Sequence, residues 1–424
     1  MKKIPFVKYT SCGNNFVIVD HTAVESLSET EISDFSYQAT QVSFGVGSDN
    51  LLVVQRCGSA VLASINKAHG YWHTLPDSTH ADFLFRMFEP SGEEAFCCGN
   101  GLICVASYLF AEYGIESARV LTEIPLATPK VRVIGSVGTE EASETQATSG
   151  RSKWGWANMG YPRQAPSELA EREFLAPESK EIDSISDIVI AMDSQSLSNT
   201  SAGNTLNFKG YLVFTGEPHL VVFPDRDFND TALAESIFYD HSRQPESMEL
   251  GGGPLTVGTS LVSHIGNYLN QHYQHIFPSG INVNFARIHG VDEVENRCFE
   301  RGINQETLAC GTGALAVAYV VKRLHQSDVS STDILPHRCR WHQKNARIIV
   351  EHKKSGWHLK SCPLMLFEGV YHYMPEGNDR TLGDATENAW QQPNFLAKDP
   401  CREPLPVVNE PAANDGVFTS NQQR

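Results

Sequence analysis

The chain has 424 residues, of which 41% are hydrophobic and 20% charged, with a formal net charge of −17. A length of this size predicts about two or three domains, each able to bury a core without covalent staples. The acidic balance speaks against a nucleic-acid or anionic-membrane partner, since both recruit Lys and Arg. No segment reaches the roughly 20 apolar residues that cross a bilayer. The opening MKKIPFVKYTSCGNNF carries no apolar signal core, so a cytoplasmic protein is expected.

In chain order, IPFVKYTSCGNNFVIVD reads as a hairpin around a Ser-Cys-Gly-Asn-Asn turn. GVGSDNLLVVQ is a glycine turn followed by a buried strand, and FLFRMF (Phe83–Phe88) is another. The turn residues Pro90, Ser91 and Gly92 close it. EAFCCGNGLICVASY then places two cysteines and a Gly-Asn-Gly at the head of an apolar helix that ends at Gly114. VRVIGSVG and WGWANMGYP read as strands around a polar loop.

From there the pattern repeats. GYLVFTGEPHLVVF is strand–turn–strand, with Gly-Glu-Pro-His in the place of the first turn. GINVNFARI and ENRCFERG are strands, and ETLACGTGALAVAY is a second cysteine turn heading a second apolar helix. ARIIVEHKK, GWHLKS and LMLFEGVYHY end the pattern as strands.

The expected architecture is therefore α/β (α+β): two pseudo-symmetric halves, each a strand wrap around a central helix. The first half is expected over 1–125 and the second over 126–361, with insertions near 136–155 and 226–280. Residues 362–374 are expected as a strand returning to the first half, and 375–424 read as a loosely ordered tail.

The 10 cysteines are scattered, without zinc-ribbon or finger spacing, so neither a disulfide scaffold nor a metal site is expected. Cys12, Cys57, Cys104, Cys298, Cys339, Cys362 and Cys401 read as structural thiols. His272 and His275 read as solvated residues of a helix, and Asp49 as a turn-former. The repeated Cys-Gly-x-Gly turn is different. A cysteine at a helix N-terminus feels unpaired N–H groups and the positive end of the helix dipole, which favours the thiolate. The glycines let a carboxylate approach those N–H groups. Two such turns facing one carboxylate ligand allow one thiolate to remove the neighbouring α-proton and the opposite thiol to return one. The result is inversion of a stereocentre by an acid–base pair in opposite protonation states.

The residues also carry a family resemblance. GNNFVIVD resembles the G-N-D-F opening of diaminopimelate epimerases, and GVGSDNLLVV resembles G-x-G-x-D-Q-L-L. FEPSGEEAFCCGNG resembles F-N-x-D-G-S-x-x-x-x-C-G-N-G, and GEPH resembles G-N-P-H. INVNF resembles A-N-I/V-x-F, and ERGINQETLACGTGA resembles E-R-G-x-G-E-T-x-A-C-G-S/T-G with one extra residue. The order is that of the family, and the matches run to about Tyr373.

The resemblance implies the two-domain fold, an interdomain active site, no cofactor, a small amino-acid substrate, a place in lysine biosynthesis, and a homodimer. It implies catalytic roles for Cys98, Cys310, His219 and Glu300, with Cys97 outside the chemistry. It implies substrate binding by Asn14, Asn50, Glu89, Gly99, Asn100, Glu217, Asn282, Arg301, Gly311 and Thr312.

Four positions depart from the pattern: Asn15, Asn50, Glu89 and Glu217 stand where the family has Asp, Gln, Asn and Asn. Amides donate to a carboxylate, whereas ionised glutamates only accept. Diaminopimelate and a basic amino acid (lysine, ornithine, arginine or histidine) both remain open as substrates. Glu89 and Arg301 are a possible ion pair. A lyase or isomerase on this fold and a redox-switched dithiol protein are the alternatives to an epimerase.

Overall fold

In the computed structural model one hydrogen-bonded path of strands runs through both halves of the sequence. The described residues are 1–126, 134–141, 153–192, 205–239, 257–290, 292–343 and 345–375. They belong to one compact unit, Met1–Ala389. A second unit, Trp390–Arg424, lies outside the described residues. So do Cys401, nearly all of the expected tail, and 142–152 and 240–256 of the two expected insertions.

The first half contains β1 (Lys2–Ser11), β2 (Asn14–Asp20), α1 (Glu29–Thr40), β3 (Asn50–Arg56), α2 (Ser59–His69) and β4 (Phe83–Phe88). It continues with β5 (Glu94–Ala95), α3 (Gly99–Tyr113) and β6 (Ser117–Leu121), and, past the expected boundary at 125, with β7 (Ile134–Glu141) and β8 (Lys153–Asn158), which extend the β6 ladder. The second half contains β9 (Ala176–Pro177), β10 (Asp183–Ala191), β11 (Thr205–Phe214), β12 (Pro218–Val222), α4 (Pro224–Asp227), α5 (Thr231–Ile237) and α6 (Val257–His272). Then come β13 (Asn282–Gly290), β14 (Glu293–Glu300), β15 (Gln305–Thr307), α7 (Gly311–Leu324) and β16 (Ser331–Pro336). The last elements are α8 (Cys339–His342), β17 (Ile348–Lys353), β18 (Gly356–Ser361) and β19 (Leu364–Tyr373).

The duplication holds strand by strand. In the first half β1 and β2 are antiparallel, β2 runs parallel to β3, β3 and β4 are antiparallel, and β4 runs parallel to β6. In the second half β11 and β12, β12 and β13, β13 and β14, and β14 and β16 repeat those directions in that order. β6–β7–β8 and β16–β17–β18 complete each wrap as antiparallel meanders. β8 pairs with β18, joining the halves. β19 returns to the first half and pairs with β1 along nearly its whole length, from Lys2↔Tyr373 to Thr10↔Leu364. No helix among the described residues is long and apolar enough to cross a membrane.

The two central helices are apolar nearly all round, and they are buried accordingly. One continuous core contains Leu102, Val105 and Leu109 of α3 together with Leu315, Val317 and Val320 of α7. Gly114, in the left-handed region at φ 64°, ends α3. α1 and α2 are absent from the sequence reading. α1 begins with a capping box, Ser28 and Glu31, ahead of a polar face, which is a start signal present in the sequence.

The two glutamates that stand four residues before each cysteine hold up the turns. Arg86 on β4 donates through Nε and Nη2 to Glu94, both at 2.7 Å. Arg297 on β14 donates through Nε and Nη2 to Glu306, at 2.6 and 2.7 Å. Both guanidinium groups are fully buried and forked onto their carboxylates. Each arginine also ties down a helical insertion: Arg86 Nη1 reaches Glu29 of α1 at 2.8 Å. Arg297 reaches the Ile237 carbonyl at the end of α5 (2.6 Å) and Thr259 of α6 (2.8 Å).

Removing one member of such a pair strands a buried charge. Glu306→Ala is expected to lower stability by about 3–5 kcal/mol in urea unfolding. Arg297→Met combined with Glu306→Leu is expected to recover most of that loss.

Candidate active site

Each half of the fold contributes one sulfur to a single place. Cys98 is the N-cap of α3, and its Sγ accepts from Gly101 N at 3.4 Å. Cys310 is the N-cap of α7, and its Sγ accepts from Gly313 N at 3.3 Å. The helices meet end to end. A Cβ on Gly99 would lie 3.3 Å from Gly311 Cα, and a Cβ on Gly311 would lie 2.9 Å from Asn100 N. Asn100 Nδ2 crosses to the Ala309 carbonyl at 3.3 Å. The first turns leave the N–H groups of Gly99, Asn100, Gly311 and Thr312 without acceptors inside their own helices. An anion placed there meets two helix N-termini at once.

The hairpin turns brace this junction crosswise. Gly13, at φ 86°, sits against Leu308 of the opposite cysteine turn. Gly216, at φ 99°, sits against Cys97 and Thr312. Both positions need the left-handed backbone, and a Cβ at Gly13 would lie 2.6 Å from Leu308 Cδ1.

The two sulfurs have different surroundings. Cys98 Sγ faces an acceptor, Asn14 Oδ1, at 3.7 Å. That amide is oriented by Asp49 Oδ2, which accepts from Asn14 Nδ2 at 2.8 Å and from Asn15 N at 2.7 Å. A thiol S–H satisfies Asn14, whereas a thiolate would face a like partial charge. Burial pushes the Cys98 thiol well up, in the same direction.

Cys310 instead ends a chain of donors. Asn296 Nδ2 donates to Asn284 Oδ1 (3.4 Å), and Asn284 Nδ2 to His219 Nδ1 (2.9 Å). The ring proton is thereby assigned to Nε2, 3.0 Å from Thr312 Oγ1. The Thr312 hydroxyl is left to donate to Cys310 Sγ at 3.4 Å. Cys310 is held below the ordinary thiol range, first by the neighbouring Cys298 thiol and then by Thr312 and the Gly313 N–H, against burial. His219 is fully buried and pulled down to about 3, by burial first and then by Arg301, so the ring is neutral.

The remaining expected residues gather on the same side. Asn50 Nδ2 donates to Glu89 Oε2 at 3.0 Å. Burial, and then Glu217, push Glu89 up to about 7. Glu300, at the end of β14, accepts from Thr307 Oγ1 and is pushed well up by burial and then by Cys310. Asn282 Oδ1 accepts from Arg301 N at 2.9 Å. Arg301 Nη2 pairs with Glu217 Oε2 at 2.6 Å, and Nη1 donates to the Ser279 carbonyl at 2.8 Å. The ion pair expected between Glu89 and Arg301 is corrected here: the arginine takes Glu217, and Glu89 takes Asn50.

Sequence reasoning missed Asn284, Thr215 (whose Oγ1 holds the Thr312 carbonyl at 2.9 Å) and Cys298. It read Asp49 as resembling a family position or forming a turn, and missed its hold on Asn14. Asn284 lies two residues from Asn282 and Cys298 two from Glu300, so strand alternation puts each on the face of a residue already singled out.

No family model matches the sequence. A diaminopimelate epimerase of Archaeoglobus fulgidus is 28% identical over 324 residues, covering 76% of this chain and 82% of its own. A diaminopimelate epimerase of Bacillus subtilis is 25% identical over 372 residues, covering 88% and 99%. A solved hydroxyproline epimerase from Agrobacterium vitis overlays with a TM-score of 0.49 at 12% identity, covering 87% of this chain and 93% of that one. The protein is an isomerase. The chain is similar to diaminopimelate epimerases over most of its length.

Cys310 is expected to react with iodoacetamide before Cys98, although Cys98 is the more exposed of the two. The Cys310 rate should fall as pH drops through its lowered pKa. Peptide mapping by mass spectrometry at several pH values checks both points.

Proposed function

We propose that this isomerase inverts the α-carbon of an amino acid by two-base proton transfer between Cys98 and Cys310. The observation that carries the reading is the unlike hydrogen bonding of the two sulfurs. Both accept a helix N–H, but Cys310 also receives the Thr312 hydroxyl, as a thiolate base requires, whereas Cys98 faces the Asn14 oxygen, as a thiol acid requires. The substrate α-carboxylate lies on the N–H groups of Gly99, Asn100, Gly311 and Thr312. There the helix ends offset the charge that develops on the carboxylate as the α-proton leaves. Cys310 takes that proton while Cys98 delivers its own to the opposite face, and in the reverse direction the roles exchange. Asn14 aims the Cys98 S–H, and the His219–Thr312 chain stabilises the Cys310 anion.

For the substrate, relatives named diaminopimelate epimerase and the presence of Arg301 support diaminopimelate, whose far end carries a carboxylate and an ammonium. A second reading rests on a specific contact. Arg301 is already paired with Glu217, and Glu89 adds a second carboxyl nearby. That balance supports an amino acid with a purely cationic far end, such as lysine, ornithine, arginine or histidine.

The deciding experiment incubates the enzyme with each of these amino acids and with LL- and meso-diaminopimelate in deuterium oxide. α-Proton exchange is followed by NMR. Cys98→Ser and Cys310→Ser are each expected to slow inversion by about 10²–10⁴-fold. Full activity in both variants would sink the two-base mechanism.

The pH dependence carries a sign. Glu89 sits near 7, above its ordinary 4.5, so it is ionised only above about pH 7. KM for a cationic substrate is expected to fall as pH rises through 7 and then level off. Glu89→Gln should flatten that profile.

A further inference from the structure

One buried thiol beside the site has no part in the proton transfer itself. Cys298 is only 3% exposed. Its Sγ, the Cys310 Sγ and a ring nitrogen of His219 all lie within 4.8 Å of one another. The three come from β14, the head of α7 and β12. Neighbouring strands hold them: His219 is paired with Asn282 in the parallel β12–β13 ladder, and Cys298 with Asn284 in the antiparallel β13–β14 ladder. Donors fixed by a sheet in this way are preorganised for a ligand.

We propose that His219, Cys298 and Cys310 form a binding site for a soft divalent cation, zinc foremost. Tetrahedral zinc with sulfur at about 2.3 Å and nitrogen at about 2.0–2.1 Å sets its donors roughly 3.5–3.8 Å apart. From 4.8 Å the cluster has to contract by at most about 1.3 Å to meet that spacing. Two thiolates and an imidazole are the donor set that zinc takes and magnesium or calcium refuses. Their charges also cancel the dication, so a buried site carries no net charge.

The nitrogen on the sulfur side is Nε2, because Thr312 Oγ1 touches both it and Cys310 Sγ. Turning the Asn284 and Asn296 amides together presents Asn284 Oδ1 to Nδ1–H and the Asn296 oxygen to Asn284 Nδ2, and fixes the tautomer that frees Nε2 for the metal. On binding, the Cys298 thiol proton leaves to solvent, two S–metal bonds and one N–metal bond form, and nothing is oxidised. Water fills the fourth position. The metal occupies the sulfur lone pair that receives the α-proton. On the two-base reading of function, the occupied enzyme is therefore switched off, and a chelator restores it.

The test is a Cd²⁺ titration of the reduced, metal-stripped full chain, following the ultraviolet thiolate-to-cadmium charge-transfer band, with Zn²⁺ as competitor. One equivalent should develop the band, and Zn²⁺ should abolish it. Cys298→Ser should weaken Cd²⁺ binding at least ~100-fold, more than the loss of an outer-sphere partner. Cys298→Val should do the same, with circular dichroism confirming the fold of whichever variant is read. A parent protein without the band, or variants that bind as tightly as the parent, would overturn the site. A failure of the proposed function looks different: no amino acid in the deuterium panel exchanges its α-proton, while the band still forms.

Discussion

The fold is organised around a contact between two glycines. Gly99 and Gly311 lie at the heads of the central helices and touch, with no space for a methyl group on either. This brings two positive helix ends together, each equivalent to about half a charge, an arrangement that repels itself when empty. Everything nearby compensates. Cysteine sulfurs accept the third N–H of each helix, Asn100 bridges to the opposite turn, and the hairpin turns brace the junction from both sides. An anion completes it. That electrostatic demand is what supports placing the proposed substrate's carboxylate there.

The duplication gives symmetry, and the proposed two-base chemistry requires its loss. Phe88 pairs with Glu94 and Phe299 with Glu306 in matching ladders, which aligns Arg86 with Arg297, Met87 with Cys298 and Glu89 with Glu300. The arginines do the same work in both halves. The positions around the sulfurs do not. Asn14 accepts on one side, while Thr312, His219 and Asn284 donate on the other. Two halves with matching surroundings would hold two equal thiols, and neither would begin as base.

Much of this was legible because it is local. Strand alternation, glycine turns and apolar helices marked most of the wrap, though not β6, β10 or β16. The two cysteine turns announced the site through their spacing. The unread helices α1 and α2 are short and half polar, with burial decided by partners distant in sequence. The misassigned ion pair failed for the same reason. Whether Arg301 meets Glu89 or Glu217 depends on how β12 and β14 flank β13, and no residue pattern encodes that placement. Cys298 looked structural because a lone cysteine on a strand usually is. Only the proximity of the α7 head gives it another role.

The pairing of β1 with β19 bears on how the chain is made. Residues 2–10 find their partners at 364–373, so the first half lacks one of its strands until nearly all the described chain has been synthesised. Until then β1 offers an open edge, the kind of surface that templates aggregation. Contacts of such sequence separation make folding slow, because loop closure precedes any gain from the ladder. The emerging chain thus has a long interval in which its N-terminal sheet is unfinished. Expression yield should depend on chaperones and translation speed more than the stability of the finished molecule suggests.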